Sequence, residues 1–171
     1  LSYAGCGLPY YVSGVVREQA ELMSTPVGVV RDPVFFQKVK NVHAVNQNEV
    51  LEVDRAGKRV RVRDLNNRSE RWLAYDKLLI ATGSRPILPK TVRKRSIPGV
   101  YSLRTLADAR SIVQRSQTAR QVVMLGGGML NVKTAFALKV LGLEVTLVEI
   151  EKSVLPWLME ADAAALIHNA L

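Results

Sequence analysis

A single cysteine, Cys6, stands between two glycines at the start of an apolar stretch, Leu8, Tyr11, Val12, Val15 and Val16, whose spacing is close to helical. The N-terminal end of a helix carries roughly half a positive charge and unpaired N–H donors, so a thiol placed there ionises more readily and becomes a better nucleophile. Gly5 and Gly7 leave room for another group to approach the sulfur. With one cysteine in the chain no internal disulfide forms. The sulfur is then either a small buried hydrophobe or a reactive thiol.

A second set of chemistry-bearing residues lies far along the chain. Gly126-Gly-Gly128 separates the apolar run Gln121–Leu125 from a helical pattern over residues 132–141, and a second apolar run, Glu144–Val148, ends at Glu149. Strand, glycine turn, helix and strand make the unit that binds a dinucleotide. Gly126 supplies the tight turn. Gly128 lets backbone N–H groups approach a pyrophosphate at the positive end of the helix, where Met129 follows. The third glycine position of the fingerprint holds Asn131, a departure that weakens the motif without removing the phosphate site. Glu149 is placed to accept hydrogen bonds from ribose hydroxyls and to repel a 2′-phosphate, which favours NADH over NADPH.

The elements that must hold these residues follow from the pattern. A helix is expected to begin near Cys6 and run through residue 22, with Pro9 in its first turn. Residues 25–32 are rich in turn formers, and 33–40 predict a short helix. Residues 49–54, 59–63 and 71–74 alternate and are separated by Ala56-Gly57 and Asn66-Asn67, as in an antiparallel meander. Residues 75–80 predict a buried strand ending at Ala81-Thr-Gly83. The prolines at 86, 89 and 98 predict an irregular crossing, and residues 106–114 a helix. Residues 160–171 predict a helix without a stop signal, and the first residue is leucine, so both ends read as cut.

The length of 171 residues, 48% of them hydrophobic, sets a globular class of about one core. No apolar run is long enough for a membrane span and no leader pattern opens the chain, so a soluble, cytoplasmic protein without a membrane partner is expected. The net charge of +9 raises nucleic acid as a partner. Against it, Arg59, Arg61 and Arg63 alternate with valine as on the solvated face of a strand, and the cluster at Arg93, Lys94 and Arg95 has no aromatic interleaving. No nucleic-acid partner is expected. His43 and His168 lack further ligands at metal spacing, so no metal is expected.

Taken together, Ser2-Tyr-Ala-Gly-Cys-Gly-Leu-Pro-Tyr-Tyr-Val-Ser-Gly14, Tyr75-Asp-Lys-Leu-Leu-Ile-Ala-Thr-Gly-Ser-Arg-Pro86, Ile97-Pro-Gly-Val-Tyr-Ser-Leu-Arg-Thr-Leu106 and the unit at 121–149 resemble, in order, the pyridine nucleotide-disulfide oxidoreductase family. The resemblance is to its coenzyme A-disulfide reductase, persulfide reductase and NADH oxidase branch. It implies an α/β fold made of parts of two Rossmann-like domains with a small antiparallel meander. Residues 1–105 would be a partial FAD-binding domain whose first βαβ unit is missing, and residues 106–171 the start of an NAD-binding domain.

The resemblance further implies FAD near Cys6 and close to Ala81, Thr82 and Gly83, with Ala44 and Val45 holding adenine by backbone atoms. NADH would be bound by Gly126, Gly128, Met129 and Glu149. Hydride would pass through the flavin to a disulfide, persulfide or polysulfide at the catalytic Cys6, with Ser2, Tyr10 and Arg17 on the substrate side. Arg17 would lie about three turns along the helix from Cys6, in reach of a substrate phosphate. The alternatives are an NADH oxidase reducing dioxygen through a cysteine sulfenate and a truncated non-catalytic remnant. The full-length protein would be a homodimer. Gly5 stands where the coenzyme A branch commonly has asparagine, and Lys133 where the dinucleotide helix commonly has an acid.

Overall fold

A computed structural model describes residues 3–93 and 97–170. The chain forms two compact units, one from residues 25–84 and one from residues 3–24 together with 85–170. The second unit is therefore discontinuous in sequence, with the first inserted in it. This grouping follows packing, whereas the division expected at 105/106 follows which cofactor each part would hold.

In the inserted unit the helix Pro33–Lys40 (designated α3, after two short helices described below) starts where expected. Asp32 caps it by accepting from the Phe35 N–H at 2.8 Å, Pro33 occupies the first turn, and Asn41 ends it in the left-handed region at φ 51°. Three strands follow, Asn48–Asp54 (β1), Arg59–Asp64 (β2) and Glu70–Ala74 (β3), antiparallel in the order β1-β2-β3. Val50 pairs with Val62 and Val60 with Leu73. The arginine-rich face of β2 is neutralised from both sides. Arg59 bonds Asp54 at 2.8 Å and lies over the Trp72 ring at 4.4 Å; Arg61 reaches Glu52 at 3.0 Å and Glu70 at 2.9 Å; Arg63 reaches Glu70 at 2.8 Å. Those cations have carboxylate partners, and opposite charges across neighbouring strands stabilise a sheet modestly. Lys94 and Arg95 of the other basic cluster lie outside the described residues.

Residues 75–80 do not form the expected buried strand. Leu79 is 86% and Ile80 71% exposed. An apolar run becomes a strand only against a neighbouring ladder, and among the described residues no strand pairs with it.

In the second unit a 3₁₀ turn, Gly5–Gly7, leads into α1, Leu8–Val12, and then α2, Gln19–Met23. The single helix expected over 6–22 is broken at Gly14, whose φ of 78° suits glycine and ends the run. A short helix α4, Lys90–Arg93, interrupts the region expected to be irregular. Helix α5, Leu106–Ser116, starts at a Thr105/Asp108 capping box. Strand β4 (Gln121–Leu125), helix α6 (Met129–Val140) and strand β5 (Glu144–Val148) then form a parallel pair with its crossover helix, and α7 spans Ala161–Ala170. Leu8, Val12, Leu22, Leu106, Ala109, Ala137, Leu138 and Leu143 make the core that seats α1 against α5 and α6. Among the described residues no helix is long and apolar enough to cross a membrane, and no cluster of three metal-ligating side chains occurs.

Candidate dinucleotide turn and cysteine segment

The glycine turn is built from three successive peptide groups. The Gly126 N–H donates to Val148 O at 2.8 Å, tying the turn to the end of β5. The Gly127 N–H donates to the Glu149 carboxylate. The Gly127 carbonyl accepts from the Leu155 N–H at 2.9 Å. Gly126 needs to be glycine for its φ of 96°. Gly127 needs to be glycine for lack of space, since a Cβ there would stand 2.9 Å from Glu149 Oε2 and 3.2 Å from Val154 Cα. Gly128 is different in kind. It has an ordinary φ of −71° as the residue preceding α6, and a Cβ would meet nothing within 4 Å. Open space there is what a phosphate group needs.

Helix α6 begins at Met129, three residues before the expected start, so its first-turn amides lie directly after the turn. Those amides lack intrahelical acceptors, no side chain caps them, and no acid lies in the first turn. The arrangement fits an anionic pyrophosphate.

Glu149 accepts at Oε1 from the N–H groups of Ile150 at 2.6 Å and Glu151 at 3.1 Å, and at Oε2 from Gly127. The N–H of Gly127, then those of Glu151 and Ile150, hold its carboxyl below the usual range. In this structure the acid expected to hold ribose braces the turn itself. A carboxylate has about four acceptor positions. With three taken, a ribose diol would compete with the backbone for it.

Asn131 does more than leave the motif weaker. Its side-chain amide donates to Leu125 O at 2.7 Å and to Gly126 O at 2.9 Å. A glycine in that place has no donor to offer.

Cys6 is a free thiol and exposed. It precedes a helix of only five residues, so the macrodipole expected from a long helix is reduced to that of little more than one turn. Gly7 does not hold space open for a ligand: a Cβ there would meet Leu22 Cδ2 at 2.6 Å, and the closeness is required by packing. At Gly5 a Cβ meets nothing within 4 Å. Tyr10, on α1, is 47% exposed, and the Lys133 ammonium of α6 sits 5.7 Å from its ring centre. The lysine that replaces an acid thus joins the cysteine segment to the dinucleotide helix through a cation–π contact. Arg17 does not lie on the helix that follows Cys6. It precedes α2, exposed, with its backbone N–H on Glu21 Oε1 at 3.1 Å.

Cys6, Tyr10, Gly126, Gly128, Met129 and Glu149 share the second unit, whereas Ala44, Val45, Ala81, Thr82 and Gly83 lie in the inserted one. The latter sit in segments without regular structure. Val45 is 46% exposed, Ala81, Thr82 and Gly83 are exposed, and Gly83 has a φ of 83°. Ser2 lies outside the described residues. Gly127, Asn131 and Leu155 are the turn residues missed as contributors. The glycine trio signalled the first, and nothing local signalled Leu155.

The family model for pyridine nucleotide-disulphide oxidoreductases matches residues 1–171. An NADH oxidase of Methanocaldococcus jannaschii is 25% identical over all of this chain and 37% of its own length. A CoA-dependent NAD(P)H sulfur oxidoreductase of Pyrococcus furiosus is 28% identical, over all of this chain and 36% of its own. Among solved structures, an NAD-dependent persulfide reductase from A. fulgidus superposes with a TM-score of 0.86 at 37% identity, covering all of this chain and 31% of that one. The chain thus spans about a third of the length of the relatives it matches. The match along the whole chain, with the dinucleotide turn in its expected place, makes this chain a member of the pyridine nucleotide-disulphide oxidoreductase family.

Proposed function

We propose that the chain supplies the NADH-binding turn and the redox cysteine of a flavin-dependent reductase acting on a disulfide, persulfide or polysulfide. The observation that carries this reading is the open Gly128 position at the head of α6, in the same unit as an exposed Cys6. Gly126, Gly128, Met129 and Glu149 would hold NADH, with the first-turn amides facing the pyrophosphate. Ala44, Val45, Ala81, Thr82 and Gly83 would hold FAD through exposed backbone groups. FAD, when bound, supplies the two-electron relay between nicotinamide and sulfur.

The chemistry of this chain's own residue is thiol exchange. The Cys6 thiolate attacks one sulfur of the substrate, an S–S bond forms to Cys6, and the other sulfur leaves as thiolate or hydrosulfide. Two electrons originating in NADH then break the new S–S bond, returning Cys6 to thiolate and releasing the second sulfur, after protonation, as thiol from a disulfide or as hydrosulfide from a persulfide or polysulfide. Tyr10 and Arg17 would face the substrate, Ser2 with them, and the full-length protein would act as a homodimer. The names of the sulfur oxidoreductase and persulfide reductase relatives support this choice of substrate class.

An NADH oxidase is the second reading, favoured by the name of the M. jannaschii relative. Anaerobic NADH titration of the full-length protein, followed by coenzyme A disulfide or a persulfide and separately by air, distinguishes the two. The reductase reading requires that NADH bleach the flavin absorbance and that the sulfur substrate restore it much faster than oxygen, with Cys6→Ser losing the sulfur reaction. Faster recovery in air, dependent on Cys6, sinks that reading in favour of the oxidase.

A further inference from the structure

We infer that Asn131 is a positioning residue that fixes the two peptide planes leading into the phosphate-binding turn through two hydrogen bonds that a glycine in its place has no donor to make. The inference rests on the NADH reading of that turn. A peptide group is planar, so the C=O of one residue and the N–H of the next move as one body. The Leu125 carbonyl and Gly126 N–H form one plane: Asn131 Nδ2 holds the oxygen at 2.7 Å and Val148 O holds the N–H at 2.8 Å. The Gly126 carbonyl and Gly127 N–H form the next: Asn131 Nδ2 holds the oxygen at 2.9 Å and the Glu149 carboxylate holds the N–H.

Each plane is gripped at both ends, and Asn131 is the grip on the oxygen side of both. The third plane, Gly127 to Gly128, has its oxygen on the Leu155 N–H, which leaves the Gly128 N–H aimed by its neighbours. An anion-binding turn works by presenting donors in a fixed direction, so order established before the ligand arrives raises affinity. Glycine at Gly126 and Gly127 is the most mobile backbone available, and Asn131 restrains that mobility at the residue that opens the turn.

The test compares Asn131→Asp, Asn131→Gly and Asn131→Gln in the full-length protein by equilibrium NADH binding and by hydrogen exchange of the Gly126 and Gly127 amides without nucleotide. Aspartate keeps the shape but presents an acceptor to two carbonyls. Glycine restores the ordinary fingerprint, and glutamine keeps a donor. The aspartate and glycine variants are expected to bind NADH about tenfold more weakly, as loss of two hydrogen bonds implies, and to exchange both amides about tenfold faster; glutamine recovers part of each. NADH binding by Asn131→Gly as tight as the parent's, with unchanged amide protection, overturns the inference even if Asn131→Asp does not fold. If the parent itself binds no NADH while protection still depends on residue 131, the restraint stands and the dinucleotide reading falls.

Discussion

Glu70 in the meander and Glu149 beside the glycine turn are both carboxylates held below their usual range, but by different partners. The Arg63 guanidinium, then Arg61, lowers Glu70, whereas backbone N–H groups lower Glu149. In the first unit, charges at the tips of long side chains meet over a solvent-facing sheet in which Val62 is the buried strand residue. Such pairs are screened and can re-form with other partners. In the second, a carboxylate bonds main-chain groups whose positions set the shape of a site. Charge is interchangeable in one place and tied to geometry in the other.

The comparison is sharpened most by Gly127→Ala. The added methyl meets Glu149 and the Val154 backbone, and overpacking of this kind costs about 1–3 kcal/mol. Denaturant unfolding should show that loss. Gly128→Ala is the matching control, because its methyl enters open space. Its unfolding midpoint should stay at the parent value while calorimetric NADH affinity falls about tenfold, the methyl standing where the proposed turn would receive a phosphate. Equal stability losses at both glycines would break the distinction between a packing glycine and a ligand glycine.

A smaller effect reads the Glu149 carboxylate through pH. The folded-state pKa of Glu149 lies below its ordinary 4.5, so its contribution is complete above that value and is lost as pH falls through the lower folded-state one. The Gly127 amide resonance should therefore hold steady down to about pH 4.5 and shift only below it. The smallest effect belongs to the meander. Glu70→Gln should move the thermal midpoint by at most about 2 °C, and less in high salt. A large, salt-independent loss there would show that the arginine ladder is as geometry-bound as the turn.

Much of this was legible in the residues themselves. The alternation of residues 49–63 and the strand-glycine-helix-strand order at 121–148 each name their elements, because each is decided by local periodicity. The break at Gly14 was not legible, since one glycine inside a helical pattern is compatible with a helix, and its φ of 78° is a conformation that spacing does not report. Residues 75–80 read as a strand because hydrophobicity reports burial in general and not the presence of a pairing neighbour. The roles of Asn131 and Lys133 escaped for a shared reason: a fingerprint marks a substitution as a departure, while the new side chain's partners, two carbonyls and the ring of Tyr10, are set by the fold.

The insertion of residues 25–84 within the second unit has a kinetic consequence. Strand pairs in the meander join near neighbours in the chain, as do β4 and β5 across α6, but α1 must find α5 and α6 across the whole inserted segment. Closing a loop costs more the longer it is, by about 0.6 kcal/mol per doubling, and a meander that has already folded shortens the effective span. Docking of α1 is therefore the latest event the topology dictates for that unit. Until it happens, the segment that carries Cys6 has not been brought into the unit that holds the glycine turn.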